Sequence, residues 1–407
     1  MDVSGKYRNT RRLLMLAALV CLLALLAPLA LAQGDPAAVN SATLTLGKTT
    51  TPAGGQGFWI TAAGYQTAWG RRGSANGQYR QPRDVEADSA GNFYVSDHRG
   101  SRITKLSSTG QFIAQIGGRG KGNGQILRPN QIAIFGNLLY VTDTDNHRIT
   151  AFNTNGGFVT KWGGVGSGNG QFNYPNGVAV DASGNVYVAD TWNHRIQVFD
   201  ANGGYLRQWG TLGSANGQFR YPAHLDFGPD GLLYVADSNN HRIQVFDASG
   251  AFVRKFGVDG SGGGQFHLPV GVDAADDGYI YVADTYNNRV QKLTPTGAFV
   301  AGWSETGGAT TLSRPNGLLA RGNMVYVSDI DANKVQIYAQ ATAALNDGQQ
   351  QALTLPAGTY NVLEAPKAGW TFGNATCNGG NPTPAGAGVR LTLADGASVT
   401  CGFTNNQ

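Results

Sequence analysis

Several kinds of chemistry are missing from this chain of 407 residues. No G-x-S-x-G segment and no paired Cys–His arrangement occurs, which removes those nucleophile machineries. The four segments GSANGQ (73–78), GKGNGQ (120–125), GSGNGQ (166–171) and GSANGQ (213–218) lack the G-K-[ST] lysine of a phosphate loop. They precede strand-like runs rather than helices, so they read as turns. Only three cysteines and six histidines are present, and 14% of residues are charged. What is abundant is glycine, 59 residues without a three-residue period. That excludes collagen and points to many tight turns, hence to β architecture. Hydrophobic residues at 41% and aromatics at 10% make disorder a poor description.

The first residues carry Lys6, Arg8, Arg11 and Arg12 against Asp2, and an apolar run from Leu13 to Leu31 follows. Ala30-Leu31-Ala32 before Gln33 has the A-x-A form, so 1–32 reads as a secretory signal peptide, with an uncleaved anchor as the alternative. The formal charge of +4 falls to +1 without this segment, which removes a global nucleic-acid argument. Residues 33–41 read as a linker. Cys377 and Cys401 then remain, a pair compatible with a single disulfide in an exported chain.

The middle of the chain repeats. VYVADTWNHRIQVFD (186–200), LYVADSNNHRIQVFD (233–247) and IYVADTYNNRVQKLT (280–294) are the clearest copies, with weaker ones at 93–107, 140–154 and 325–339. A period in the forties with four short alternating runs per unit predicts propeller blades. The triplets Asn146-His147-Arg148, Asn193-His194-Arg195 and Asn240-His241-Arg242, with recurring G-N-G-Q-F and Y-V-A-D segments, resemble the NHL-repeat family over about 64–340. The resemblance implies a β-propeller over 63–340. Five complete strand sets and a last set lacking its fourth strand predict six blades. The strand 64–70, GYQTAWG, completes the sixth and leaves no exposed edge.

The flanks are not repeats. Leu46 to Thr50, Pro52 to Gly54, Phe58 to Thr61, Leu345 to Gly348, Leu355 to Glu364 and Cys401 to Asn405 resemble, in order, a prealbumin-like or pilin-type (Cna B-like) β-sandwich. The expectation is an all-β chain in which 42–62 and 341–407 form one discontinuous sandwich interrupted by the propeller. Pilin-type relatives often cross-link a first-strand lysine to a last-strand asparagine. The resemblance places Lys48, Asn405 and Glu364 at those positions, and Cys377 and Cys401 as the disulfide.

Periodic residues serve the repeat. The aspartates Asp97, Asp143, Asp190, Asp237, Asp284 and Asp329 with Arg102, Arg148, Arg195, Arg242, Arg289 and Lys334 read as structural polar pairs. His147, His194 and His241 read as turn and inter-blade hydrogen bonders. Residues breaking the period on the innermost strands are more informative. Asp84, Glu86, His224, Asp226 and Asp273 are candidate channel-mouth groups for a hard cation, calcium, because its ligands are oxygens. Some NHL-type propellers are zinc-dependent lyases. Only His224 holds a suitable inward position, too few imidazoles for such a site. A lactonase-like enzyme with an acidic calcium site remains the alternative class.

Charge is uneven: residues 71–128 carry ten basic groups against four acids. Arg71, Arg72, Arg80, Arg83, Arg99, Arg119, Lys121 and Arg128 fall largely on one face and form a candidate polyanion surface. Export makes RNA a poor partner and favours an extracellular protein or anionic polysaccharide. The expected protein is a secreted or cell-surface monomer that binds without turnover, its propeller supported from the opposite side by the sandwich. A purely structural spacer is the third class and predicts no ligand.

Overall fold

The computed structural model describes residues 41–51, 58–303, 311–345, 349–356, 358–364, 371–384, 388–394 and 396–406. Residues 1–40, which hold the signal segment and all of the expected linker except Ser41, the 52–54 turn and residues 346–348 lie outside them. The described chain is all-β apart from four single-turn 3-10 segments.

Five separate four-stranded antiparallel sheets follow one another along the chain, each in sequential order. Their strands are short because each alternating run meets a Gly, Asn or Asp turn after five or six residues. In the third sheet, Gly177–Val180, Val186–Asp190, Arg195–Phe199 and Tyr205–Trp209 pair in turn. The two middle strands are buried at every position, whereas the outermost alternates half-buried with exposed. Both faces of a middle strand are covered by neighbouring sheets, so a continuous apolar run satisfies it.

A sixth set closes the ring. Pro315–Arg321, Met324–Asp329 and Lys334–Leu345 take their fourth strand from the front of the chain, Phe58–Trp69. The innermost strands touch in a cycle, from that starting at Pro82 through Pro129, Gly177, Pro222, Val272 and Pro315 back to the first. Separate apolar clusters fill the gaps between adjacent sheets. The closing gap holds Tyr79, Val85, Phe93 and Val335 with Trp69 and Tyr326.

Inside each unit the repeated aspartate organises the connector. Asp190 Oδ2 accepts from Arg195 Nε at 2.8 Å and from Asn193 Nδ2 at 2.9 Å. The same guanidinium donates to the carbonyls of Gly168 and Gln171, pinning the glycine-rich segment as a turn. Asp97–Arg102, Asp143–Arg148, Asp237–Arg242 and Asp284–Arg289 repeat this pair at 2.7–3.1 Å. The last unit departs from it. Asp329 accepts instead from Gln336 Nε2 and from the Ser313 and Ala332 N–H groups, and among the described residues Lys334 makes no ion pair with it. Lysine lacks the planar fork that reaches a carboxylate and two carbonyls at once.

The histidines act between blades. His147, His194 and His241 adopt left-handed backbone at φ 52 to 55° after their 3-10 turns. Their Nδ1 atoms accept the N–H groups of Tyr174, Tyr221 and Leu268 in the following connectors at 3.1–3.2 Å.

Two long strands carry the propeller into the sandwich. Phe58–Trp69 and Lys334–Leu345 pair from Phe58↔Leu345 to Trp69↔Val335. Beyond Ala63↔Gln340 the same sheet adds Gly358–Glu364, Gly388–Leu393 and Thr383–Pro384. A second sheet orders Gln350–Pro356, Ser41–Thr51, Ser398–Asn406 and Thr371–Asn378, so the N-terminal strand lies between two C-terminal ones. Leu44, Leu46, Leu355, Tyr360, Val362, Leu391 and Phe403 fill the space between them. The disulfide Cys377–Cys401 joins two paired strands of the second sheet. At the junction, a Cβ on Gly64 would collide with the Thr359 carbonyl oxygen, so only glycine admits the neighbouring strand there.

Candidate functional site

The face formed by the connectors and 3-10 turns holds a depression of about 330 Å³ over the channel mouth. Its walls include Trp192, Tyr221 and Tyr286, with the amides Asn130, Asn176 and Asn239 between them. Trp192 and Tyr286 are 54% and 57% exposed, high values for such large rings. Each stands two residues after a repeat aspartate, on the 3-10 turn that follows it. Tyr221 meets Trp192 edge-on at 5.7 Å between ring centroids, and its backbone is tethered to His194. Sequence reasoning missed these rings, although a signal existed. The other units place Arg99, Asp145, Asn239 and Asp331 at the position of Trp192 and Tyr286.

Arg83 and His224 form part of the same lining. Arg83 is pushed down to about 10, mainly by burial, with Arg314 and Arg99 adding repulsion and Asp331 opposing it. Its Nε has no hydrogen-bond partner among the described residues, and neither has His224 Nε2. Burial lowers His224 to about 3, with Arg83 adding to the shift, so this imidazole is neutral at ordinary pH. His98 is lowered to about 3 in the same way and donates Nδ1–H to the Pro129 carbonyl at 3.2 Å.

Deeper in the channel the sign reverses. Asp84 and Asp226 are pushed up to about 7 by burial, and Glu86 and Asp273 are also raised, burial first and the neighbouring carboxylates second. The carboxyls of Asp226 and Asp273 hydrogen-bond to each other. Three of these acids are anchored to the next inner strand by backbone N–H groups: Asp84 to Ile132, Asp226 to Ala274, Asp273 to Ala320. Gly317 makes room for Asp84, whose carboxylate occupies the place a Cβ would take.

The five channel residues are thus neighbours, but their ligating atoms do not converge. Among the described residues, no three of Asp84, Glu86, His224, Asp226 and Asp273 bring one ligand atom each within 4.8 Å of the others. As arranged here, with Asp84, Asp226 and Asp273 each accepting a backbone N–H group, the five side chains do not form a converged calcium site.

Of the eight basic candidates, Arg71, Arg72, Arg80, Arg99, Arg119, Lys121 and Arg128 are exposed, and Arg83 is half-buried in the depression. Arg128 is partly neutralised by Asp145 at 3.2 Å. In the sandwich, Lys48 is buried opposite Phe403, and Asn405 pairs through its backbone with Thr50. The side chains of Asn405 and Glu364 lie outside the described residues.

Comparison with known proteins agrees with this architecture. The NHL repeat model matches residues 172–199, 219–246 and 266–293, and the prealbumin-like fold domain model matches 322–407. No curated protein matches the sequence. Among solved structures, a streptogramin B lyase superposes with a TM-score of 0.50 at 16% identity, over 73% of this chain and 87% of its own. A gluconolactonase from Xanthomonas campestris gives 0.50 at 16% identity, over 65% and 88%. An auxiliary nutrient binding protein from Bacteroides thetaiotaomicron gives 0.51 at 12% identity, over 70% and 77%. At these identities the likeness is one of fold. The chain therefore combines NHL repeats, folded as a β-propeller, with a prealbumin-like domain.

Proposed function

We propose that this chain is an exported, non-catalytic binding protein whose connector face recognises an acidic extracellular glycan. The observation that carries this reading is the depression itself. Exposed aromatic rings share its lining with Arg83, which is repelled by Arg99 and Arg314 and whose Nε has no hydrogen-bond partner among the described residues. Flat rings offer stacking surfaces to sugar faces, and a guanidinium supplies the planar fork that a carboxylate or sulfate accepts. The exposed arginines of the first two blades extend the positive field around it and draw in an anionic chain.

Export is supported by the disulfide, which persists in oxidising compartments. No helix of the described residues is long and apolar enough to cross a membrane. The nutrient-binding neighbour shows that the fold serves binding elsewhere, as the lyase and gluconolactonase show that it serves catalysis. An enzymatic reading draws on the raised carboxyls below the mouth, since shifted acids often mark reactive sites. No step is assigned to calcium there.

A glycan array with the purified full chain tests the proposal. Retention of uronate or sulfated glycans over neutral ones is expected. Arg83→Gln and Trp192→Ala should each weaken retention by roughly ten-fold or more. Equal retention of neutral glycans, or none at all, overturns the reading. Cleavage of a retained glycan would replace it with the enzymatic one.

A further inference from the structure

His241, Asp259 and His267 come together on the connector face between the fourth and fifth blades. Asp259 Oδ1 lies 2.9 Å from His267 Nδ1 and 3.3 Å from His241 Nδ1, and the two imidazoles stack with centroids 5.2 Å apart. One ligand atom from each residue lies within 4.8 Å of the other two, the sole such grouping among the described residues. Tetrahedral zinc, with bonds of about 2.0–2.1 Å, separates its ligand atoms by roughly 3.3–3.4 Å, close to the spacing seen here.

Two further features favour a cation. His241 Nδ1 accepts the Leu268 N–H at 3.2 Å and therefore donates no hydrogen bond to Asp259 Oδ1, which lies only 3.3 Å away. A cation beside these two electron-rich atoms offsets the repulsion between them. The repeat also supplies its own controls. His147 and His194 occupy the position of His241 and make the same inter-blade bond. Where this connector has Asp259, the two preceding ones have Val165 and Leu212 in the equivalent bridges, and where it has His267 they have Asn173 and Arg220. Neither acid nor second imidazole serves the propeller, because the other connectors fold without them.

We propose that His241, Asp259 and His267 bind a divalent transition metal ion, zinc being the best match to two imidazoles and one carboxylate. The side chains of Asp259 and His267 are 62% and 44% exposed, which leaves the remaining coordination to water or to a ligand. A metal bound through His241 Nδ1 displaces the Leu268 N–H, whereas Nε2 ligation keeps it.

Zinc titration of the chelator-stripped full chain by calorimetry tests this. One equivalent of zinc is expected to bind and to raise the unfolding temperature. Asp259→Ala and His267→Ala should each weaken binding by at least about ten-fold and abolish the thermal shift. Both positions are on the surface, so the variants should fold. His147→Ala should bind zinc as the unaltered chain does. Absence of binding at 100-fold zinc excess over protein (about 1 mM) overturns the proposal. So does binding that survives both substitutions, or an equal response to calcium, which would show that imidazole is not the ligand.

Discussion

Asp84 Oδ1 lies 4.0 Å from His224 Nδ1, and both side chains are buried, yet the two do not form an ion pair at mildly acid pH. Burial holds the imidazole neutral down to about 3 and keeps the carboxyl protonated up to about 7. Two groups of opposite formal charge are thus both driven to the neutral state because neither is solvated well enough to ionise.

The acid channel has a consequence for stability against pH. Asp226, pushed up to about 7 from 3.8, keeps a proton in the folded chain that the unfolded chain has lost. Its contribution to stability therefore falls as pH rises from about 4 to 7. His224 acts oppositely: lowered to about 3 from 6.5, it makes stability fall as pH drops through that window. Asp226→Asn keeps an acceptor for the Ala274 N–H and removes the ionisation. Its unfolding temperature relative to the unaltered chain should rise from pH 5 to pH 8. An equal difference at both pH values would refute the shift.

The repeated aspartate is a buried charge serving several donors. Asp190→Ala strands Arg195 and also removes the acceptor for Asn193, Gln197 and the Asn173 N–H. Breaking one side of such a pair costs about 3–5 kcal/mol. Thermal unfolding should show a large loss here. The equivalent Asp329→Ala, whose partner is a neutral amide rather than a guanidinium, should lose less.

Gly64 controls how the two folds join. Gly64→Val places a side chain against the Thr359 carbonyl and the Tyr360 ring. The strand Gly358–Glu364 should separate from its neighbour, and limited proteolysis should cut the C-terminal region faster. Unchanged cleavage would mean that the junction tolerates the displacement.

The disulfide closes a segment with a separation of 24 residues. By the loop-entropy argument its removal costs about 3 kcal/mol. Cys377→Ser with Cys401→Ser should lower the unfolding of the sandwich while leaving the tryptophan signal of the propeller in place. A fall in the propeller signal at the same temperature would show that the two unfold as one unit.

Much of this architecture is legible because its determinants are local. Strand alternation, a turn residue every few positions and an aspartate followed five residues later by arginine recur within a single unit. Val186–Asp190 or Arg195–Phe199 can therefore be read without knowing their neighbours. The bulk of the candidate site is not local. Arg83, Trp192, Tyr221 and Tyr286 come from different units and meet at the mouth because the ring closes.

Legible in the sequence alone are the repeated four-strand units, the strand at 64–70 that joins the last of them, the structural use of the repeat Asp, Arg and His residues, and a cysteine pair compatible with one disulfide. Those depend on periodicity and on which partner each local motif leaves unsatisfied. Tertiary structure alone brings His241, Asp259 and His267 together, buries the channel carboxyls so that their pKa values rise, and sets exposed rings and Arg83 on the lining of one depression. Burial and distance across blades are properties of the closed ring, and no single repeat contains them.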